Sequence, residues 1–171
     1  MDPPRRRPSL RWHAFDYRSV KTYGVTICVQ DRLCILGTVL DDEVLLTPGG
    51  FMVDEVWREI PRAFPFVRLD AYVVMPNHVH GIVQFRSPSM GVGVCPESLG
   101  HVIRWWKVTT TKRYAHGVRS RRWPPFARRL WQRGYYDRVL RNDDEIAHAR
   151  GYIARNPAKW AQDPNNPERR S

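Results

Sequence analysis

Residues 66–85 read FVRLDAYVVMPNHVHGIVQF, and this stretch decides the fold. The run from Val67 to Met75 is rich in β-branched and aromatic residues, which fits a strand. Pro76-Asn77 is a turn signal. His78 to Phe85 then reads as the returning strand of a hairpin. Successive strand side chains point to opposite faces, so His78 and His80 share one face and Val79 points to the other. Two adjacent imidazoles make half of a divalent-metal site. The same spacing also occurs in strands that bind nothing, so the pair alone does not decide the matter.

Outward from the hairpin, YGVTICVQ at 23–30 alternates as a strand, and a second short strand fits Cys34 to Leu40, closed by a turn at Asp41-Asp42. Met52, Val53, Val56, Trp57 and Ile60 share one helical face, and Pro61 is expected to end that helix. Residues 86–97 form a Gly/Pro/Ser-rich loop. A helix is expected from Ser98 to about Ala115, with Leu99, Val102, Ile103 and Trp106 as its apolar stripe. Trp131 to Leu140 reads as the last strand. Asn142 and Glu145 have capping-box spacing for a final helix that Pro157 stops. The order is strands, helix, two strands, helix, strand, helix. It implies an α+β layer fold with helices packed on one face of a mainly antiparallel sheet.

The chain of 171 residues is long enough for one core, and 42% apolar residues exclude disorder throughout. Residues 1–18 read as a basic mobile arm, 19–160 as a single domain, and 161–171 as a disordered tail. Cys28, Cys34 and Cys95 form no CxxC pair, so free and mostly buried thiols in a cytoplasmic setting are expected. No run of about 18 apolar residues exists that would span a membrane.

The formal net charge is +11. Between Glu97 and Asp137 there is no acidic residue but ten Lys or Arg: Arg104, Lys107, Lys112, Arg113, Arg119, Arg121, Arg122, Arg128, Arg129 and Arg133. Aromatic residues are interleaved with them, including Trp105, Trp106, Trp123 and Trp131. Cations neutralise phosphates and flat rings stack on unpaired bases, so a nucleic-acid partner is expected. A solvated basic surface is the plainer alternative.

Tyr152 and Asn156 are four apart and share a face of the last helix, with His148 one turn earlier. If that face meets the His78/His80 face, two imidazoles and an amide oxygen gather beside a phenol. Such a donor set suits Mg²⁺ or Mn²⁺. Otherwise Tyr152 packs and Asn156 merely closes the helix before Pro157.

The segments DAYVVMPNHVHGIV, WQRGYYDRVLRN and YIARNPAKW, in this order, closely resemble the HUH single-tyrosine transposases, above all their REP-associated branch. The resemblance runs from about Tyr23 to Trp160. It implies a ferredoxin-like domain, His78 and His80 as the metal pair, Tyr152 as nucleophile and Asn156 as the completing ligand. His148 matches no family role. The implied activity is a metal-dependent single-stranded DNA endonuclease and strand transferase that cuts near hairpins through a 5′-phosphotyrosine and rejoins ends. The implied setting is a bacterial, nucleoid-associated protein, monomer or homodimer. A hairpin-binding protein without catalysis and a metal hydrolase are the alternatives, and Tyr135 and Tyr136 are rival nucleophiles. Arg104, Lys107, Lys112, Arg113, Arg121, Arg122, Arg128, Arg129 and Arg133 are the candidate nucleic-acid contacts.

Overall fold

The computed structural model describes residues 21–86 and 98–170. The expected basic arm at 1–18, most of the 86–97 loop and Cys95 lie outside the described residues. Strand β1 (Lys21–Cys28) leads through a 3-10 turn into a β2–β3 ribbon (Gly37–Leu40 and Glu43–Leu46). Helix α1 (Pro48–Ala63), β4 (Val67–Met75), β5 (His78–Phe85), α2 (Leu99–Arg121), β6 (Tyr136–Leu140) and α3 (Asp143–Ala154) follow. The main sheet has the order β4-β5-β1-β6, and every pairing is antiparallel. Leaving the ribbon and α3 aside, the chain runs β-α-β-β-α-β, the ferredoxin-like arrangement. The expected α+β sheet fold is therefore the observed one.

Helices α1 and α2 cover one sheet face. Val25, Ile27, Val79, Val83 and Phe85 meet Val53, Val56, Trp57, Ile60, Ile103 and Trp106 there. Each such side chain contributes about 1.5–3 kcal/mol by leaving water. Trp57 and Trp106 meet edge to face at 5.4 Å, and Trp131 donates its indole N–H to Thr110 at 2.8 Å. Thr47 caps α1 by accepting from the Gly50 N–H at 3.1 Å. Gly50 is required by space, since a Cβ there would lie 1.9 Å from the Leu36 carbonyl oxygen.

The short α3 lies over the opposite face, where Ile82, Leu140 and Ile153 form a second, smaller apolar cluster. Asn142 accepts from the Glu145 N–H at 2.8 Å, and the Glu145 carboxylate accepts from the Arg141 N–H at 3.1 Å. The β4 register shifts between Leu69 and Tyr72, and Asp70 at this bulge accepts a paired contact from Arg150 of α3 at 2.8 and 2.7 Å. This exposed pair fixes direction more than stability.

Several boundaries differ from the sequence expectation. Pro61 sits inside α1, which runs on to Ala63 because the Phe64 N–H still closes on the Ile60 carbonyl at 2.8 Å. Strand β3 was not anticipated, and the Asp41-Asp42 turn that creates it has left-handed φ angles of 50° and 63°, as primed hairpin turns require. Helix α2 continues to Arg121, and β6 begins at Tyr136, not at Trp131. Cys34 is exposed rather than buried. Residues 161–170, expected as a disordered tail, include the end of one 3-10 turn and the whole of another, and Asp163 and Asn166 between them are buried. The sequence DPNNP holds its shape by local bonds: Asn165 N–H to Asp163 Oδ1 at 2.6 Å and Asn166 Nδ2 to the Trp160 carbonyl at 3.1 Å.

Candidate metal centre

Strand alternation puts His78 and His80 on one face, as expected, with Val79 in the main core, and that face is the one α3 covers. The rings are 0% and 6% exposed and lie 4.5 Å apart between centroids. Asn77 organises the first of them. Its amide nitrogen donates to the carbonyls of Arg32 at 3.0 Å and Asn165 at 2.8 Å, which turns its Oδ1 toward His78 Nδ1 at 2.8 Å. An amide oxygen only accepts, so Nδ1 carries the hydrogen and Nε2 presents a lone pair. His80 Nδ1 meets the Thr26 hydroxyl at 2.8 Å. Both Nε2 atoms are buried and have no hydrogen-bond partner.

The third member of the cluster is Asp163. Its carboxylate is buried and stands 3.8 Å from His78 Nε2. One donor atom from each of His78, His80 and Asp163 lies within 4.8 Å of the others. Burial lowers His78 well below the usual imidazole range, and the positive charge of His80, when protonated, and of Arg32 adds to this. Burial pushes His80 down to about 4, against the opposing pull of Asp163. Both rings are thus neutral near pH 7, and the His78–Asp163 contact is not an ion pair there. Neutral imidazoles with free lone pairs beside a buried carboxylate are a donor set that fits a divalent ion. Their unmet polar atoms are the observation in its favour.

Tyr152 extends from α3 beside this cluster. Its ring stands 5.3 Å from the His80 ring in an edge contact, and it remains 46% exposed. Trp160 lies over His78 at 6.1 Å. Asn156 is buried just past α3 and donates to the Tyr152 carbonyl at 3.3 Å. His148 is exposed on α3. Of the rival tyrosines, Tyr135 packs against the main core, with the Lys107 ammonium 5.5 Å from its ring centre. Tyr136 pairs with Thr26 and is 66% exposed on the His80 side of the sheet. Asp163 escaped the sequence reading. The turn-forming DPNNP around it was the available signal that this segment is fixed rather than loose.

The candidate nucleic-acid contacts divide. Lys107 donates to the carbonyls of Gln132 at 2.8 Å and Gly134 at 2.9 Å, and burial lowers it to about 8. It anchors a loop. Arg113 forms a two-pronged pair with Glu59 at 2.7 and 2.8 Å. Arg104, Lys112, Arg121, Arg122, Arg128 and Arg133 are exposed, and Arg129 is half-buried. No helix among the described residues is long and apolar enough to cross a membrane.

The four-stranded antiparallel sheet with helices packed on it is similar in fold to a solved transposase. A REP-associated tyrosine transposase, solved bound to a REP hairpin, matches with a TM-score of 0.57 and 21% identity over 81% of this chain and 67% of that one. No family model matches the sequence. The chain belongs to one family with an uncharacterized protein of Haemophilus influenzae, 30% identical over 177 residues, 92% of this chain and 91% of that protein.

Proposed function

We propose that this protein is a metal-dependent single-stranded DNA endonuclease and strand transferase with Tyr152 as its nucleophile. The observation that carries the reading is the convergence of His78, His80 and Asp163 donors within 4.8 Å, with the Tyr152 ring 5.3 Å from His80. The fold likeness to a transposase bound to a hairpin supports DNA as the substrate. His78, His80 and Asp163 would hold Mg²⁺ or Mn²⁺, with the Asn156 side-chain oxygen as a further donor. A divalent ion there supplies Lewis-acid stabilisation of charge on the phosphate oxygens.

The Tyr152 oxygen attacks the phosphodiester phosphorus. The phenol gives up its proton to solvent, the new O–P bond forms as the bond to the 3′ oxygen breaks, and the leaving oxygen takes up a proton, giving a 5′-phosphotyrosine and a 3′-hydroxyl. A 3′-hydroxyl attacking the phosphotyrosine reverses these changes and frees the phenol. The ester energy is kept throughout, so no nucleoside triphosphate is needed. Partial exposure suits Tyr152 to this role, because its oxygen must meet a strand arriving from solvent. Asn77 and Thr26 hold the two imidazoles so that their Nε2 atoms face the cluster.

The test is incubation with labelled hairpin-bearing single strands, with and without Mn²⁺, followed by denaturing electrophoresis. The expected product is a covalent protein–DNA adduct that requires the ion and disappears in Tyr152→Phe. Cleavage that persists in Tyr152→Phe would mean a hydrolase. Binding without cleavage under all conditions would mean a hairpin-binding protein.

A further inference from the structure

At the end of the sheet that carries His78, an open cleft of about 840 Å³ lies between the 3-10 turn after β1 and the loop before β6. Gln30, Arg32, Arg128, Arg129, Gln132 and Arg133 line it. Its walls are stitched together through the backbone. Gln30 N–H donates to the Leu130 carbonyl at 2.8 Å, and Gln132 N–H donates to the Cys28 carbonyl at 3.0 Å. The Lys107 ammonium clamps the loop from behind. The cleft is therefore built before any ligand arrives. Asp31, Arg32 and Arg128 hold left-handed backbone at φ 56°, 56° and 58°. Such strain in side-chain-bearing residues gathers where function needs it.

Four arginines line this cleft beside one acidic residue, Asp31. Arg32 spends one N–H on the Pro164 carbonyl at 2.7 Å. Arg128, Arg129 and Arg133 enter no ion pair among the described residues. The Arg32 carbonyl also accepts from Asn77, whose oxygen holds His78. The cleft thus opens one side chain away from the candidate metal donors. Its volume falls in the range of pockets that take small ligands, the size of a few nucleotide units.

We infer that this arginine cleft grips the phosphates of the unpaired DNA strand next to the bond that is cut. Resting on the strand-transfer reading, this singles out four arginines as the track and leaves Lys107 and Arg113 to structure. Guanidinium forks match phosphate geometry.

The experiment uses the full chain and a fluorescein-labelled oligothymidine, followed by anisotropy across a salt series. The cleft variant is Arg128→Asn with Arg133→Ala, asparagine being chosen because it tolerates the left-handed backbone of residue 128. The control is Arg62→Ala with Arg86→Ala, which removes equal charge from exposed sites at the far end of the sheet. The cleft variant is expected to bind about tenfold more weakly and to lose about 1.4 from the slope of log affinity against log salt, two single-strand phosphate contacts' worth. The control is expected to match wild type. Equal losses in both variants, no loss in the cleft variant, or an equal loss on a blunt duplex would overturn the assignment. A wild type that binds the strand, with the expected variant pattern, but never forms the covalent adduct leaves the cleft standing and removes the strand-transfer reading alone.

Discussion

Metal binding should raise the melting temperature of this protein, and Asp163 should set by how much. Without an ion, His78 and His80 keep two buried Nε2 atoms that lack hydrogen-bond partners. A buried polar atom left unmatched costs about 1–3 kcal/mol, so the pair leaves about 2–6 kcal/mol for an ion to relieve. By mass action, Mn²⁺ at a hundred times its dissociation constant adds about 2.7 kcal/mol. For a domain of this size that corresponds to a rise of about 5–11 °C. Asp163→Asn keeps the size of the side chain but removes the only anionic donor of the cluster. A tenfold weaker affinity at the same Mn²⁺ concentration cuts the gain to about 1.4 kcal/mol, or about 3–6 °C. The assay is thermal unfolding of chelator-treated protein across a Mn²⁺ series, with wild type, Asp163→Asn and His80→Ala in parallel. Identical shifts in all three proteins, or none in wild type, would show that these donors do not act together and would refute the reasoning.

Two further outcomes follow from the same geometry. Gly81→Ala places a Cβ 2.4 Å from the Trp57 ring, which is fully buried, so overpacking should cost about 1–3 kcal/mol in urea unfolding; an unchanged midpoint would contradict the packing described. Folding lowers His80 from 6.5 to about 4, so between those values the unfolded chain binds a proton that the folded chain refuses. Stability of the metal-free protein is then full above pH 6.5 and falls by about 3 kcal/mol as the pH drops to 4, with His78 acting in the same direction. Urea midpoints at several pH values, compared with His80→Asn, test this; equal pH slopes in the two proteins would count against it.

Local chemistry carried much of this protein into view before any coordinates. Period-two alternation in HVHGIVQF sufficed to place both imidazoles on one face, because a strand has no other way to present neighbours. Pro76-Asn77 marked the tight turn, and Asn142 with Glu145 marked the helix start. Within each signal the residues lie a few positions apart, so backbone geometry alone relates them.

Contacts between distant segments were decided only by the tertiary structure. Asp163 reaches His78 across 85 residues of chain because the DPNNP turn folds back onto the sheet, and composition there looked like a loose tail. The ten clustered cations looked equivalent in sequence, yet Lys107 turned inward to carbonyls, Arg113 to Glu59, and Arg128, Arg129 and Arg133 to a cleft shared with Arg32. A residue's type fixes what bonds it can make, whereas its partner depends on which strands and helices the sheet order brings side by side.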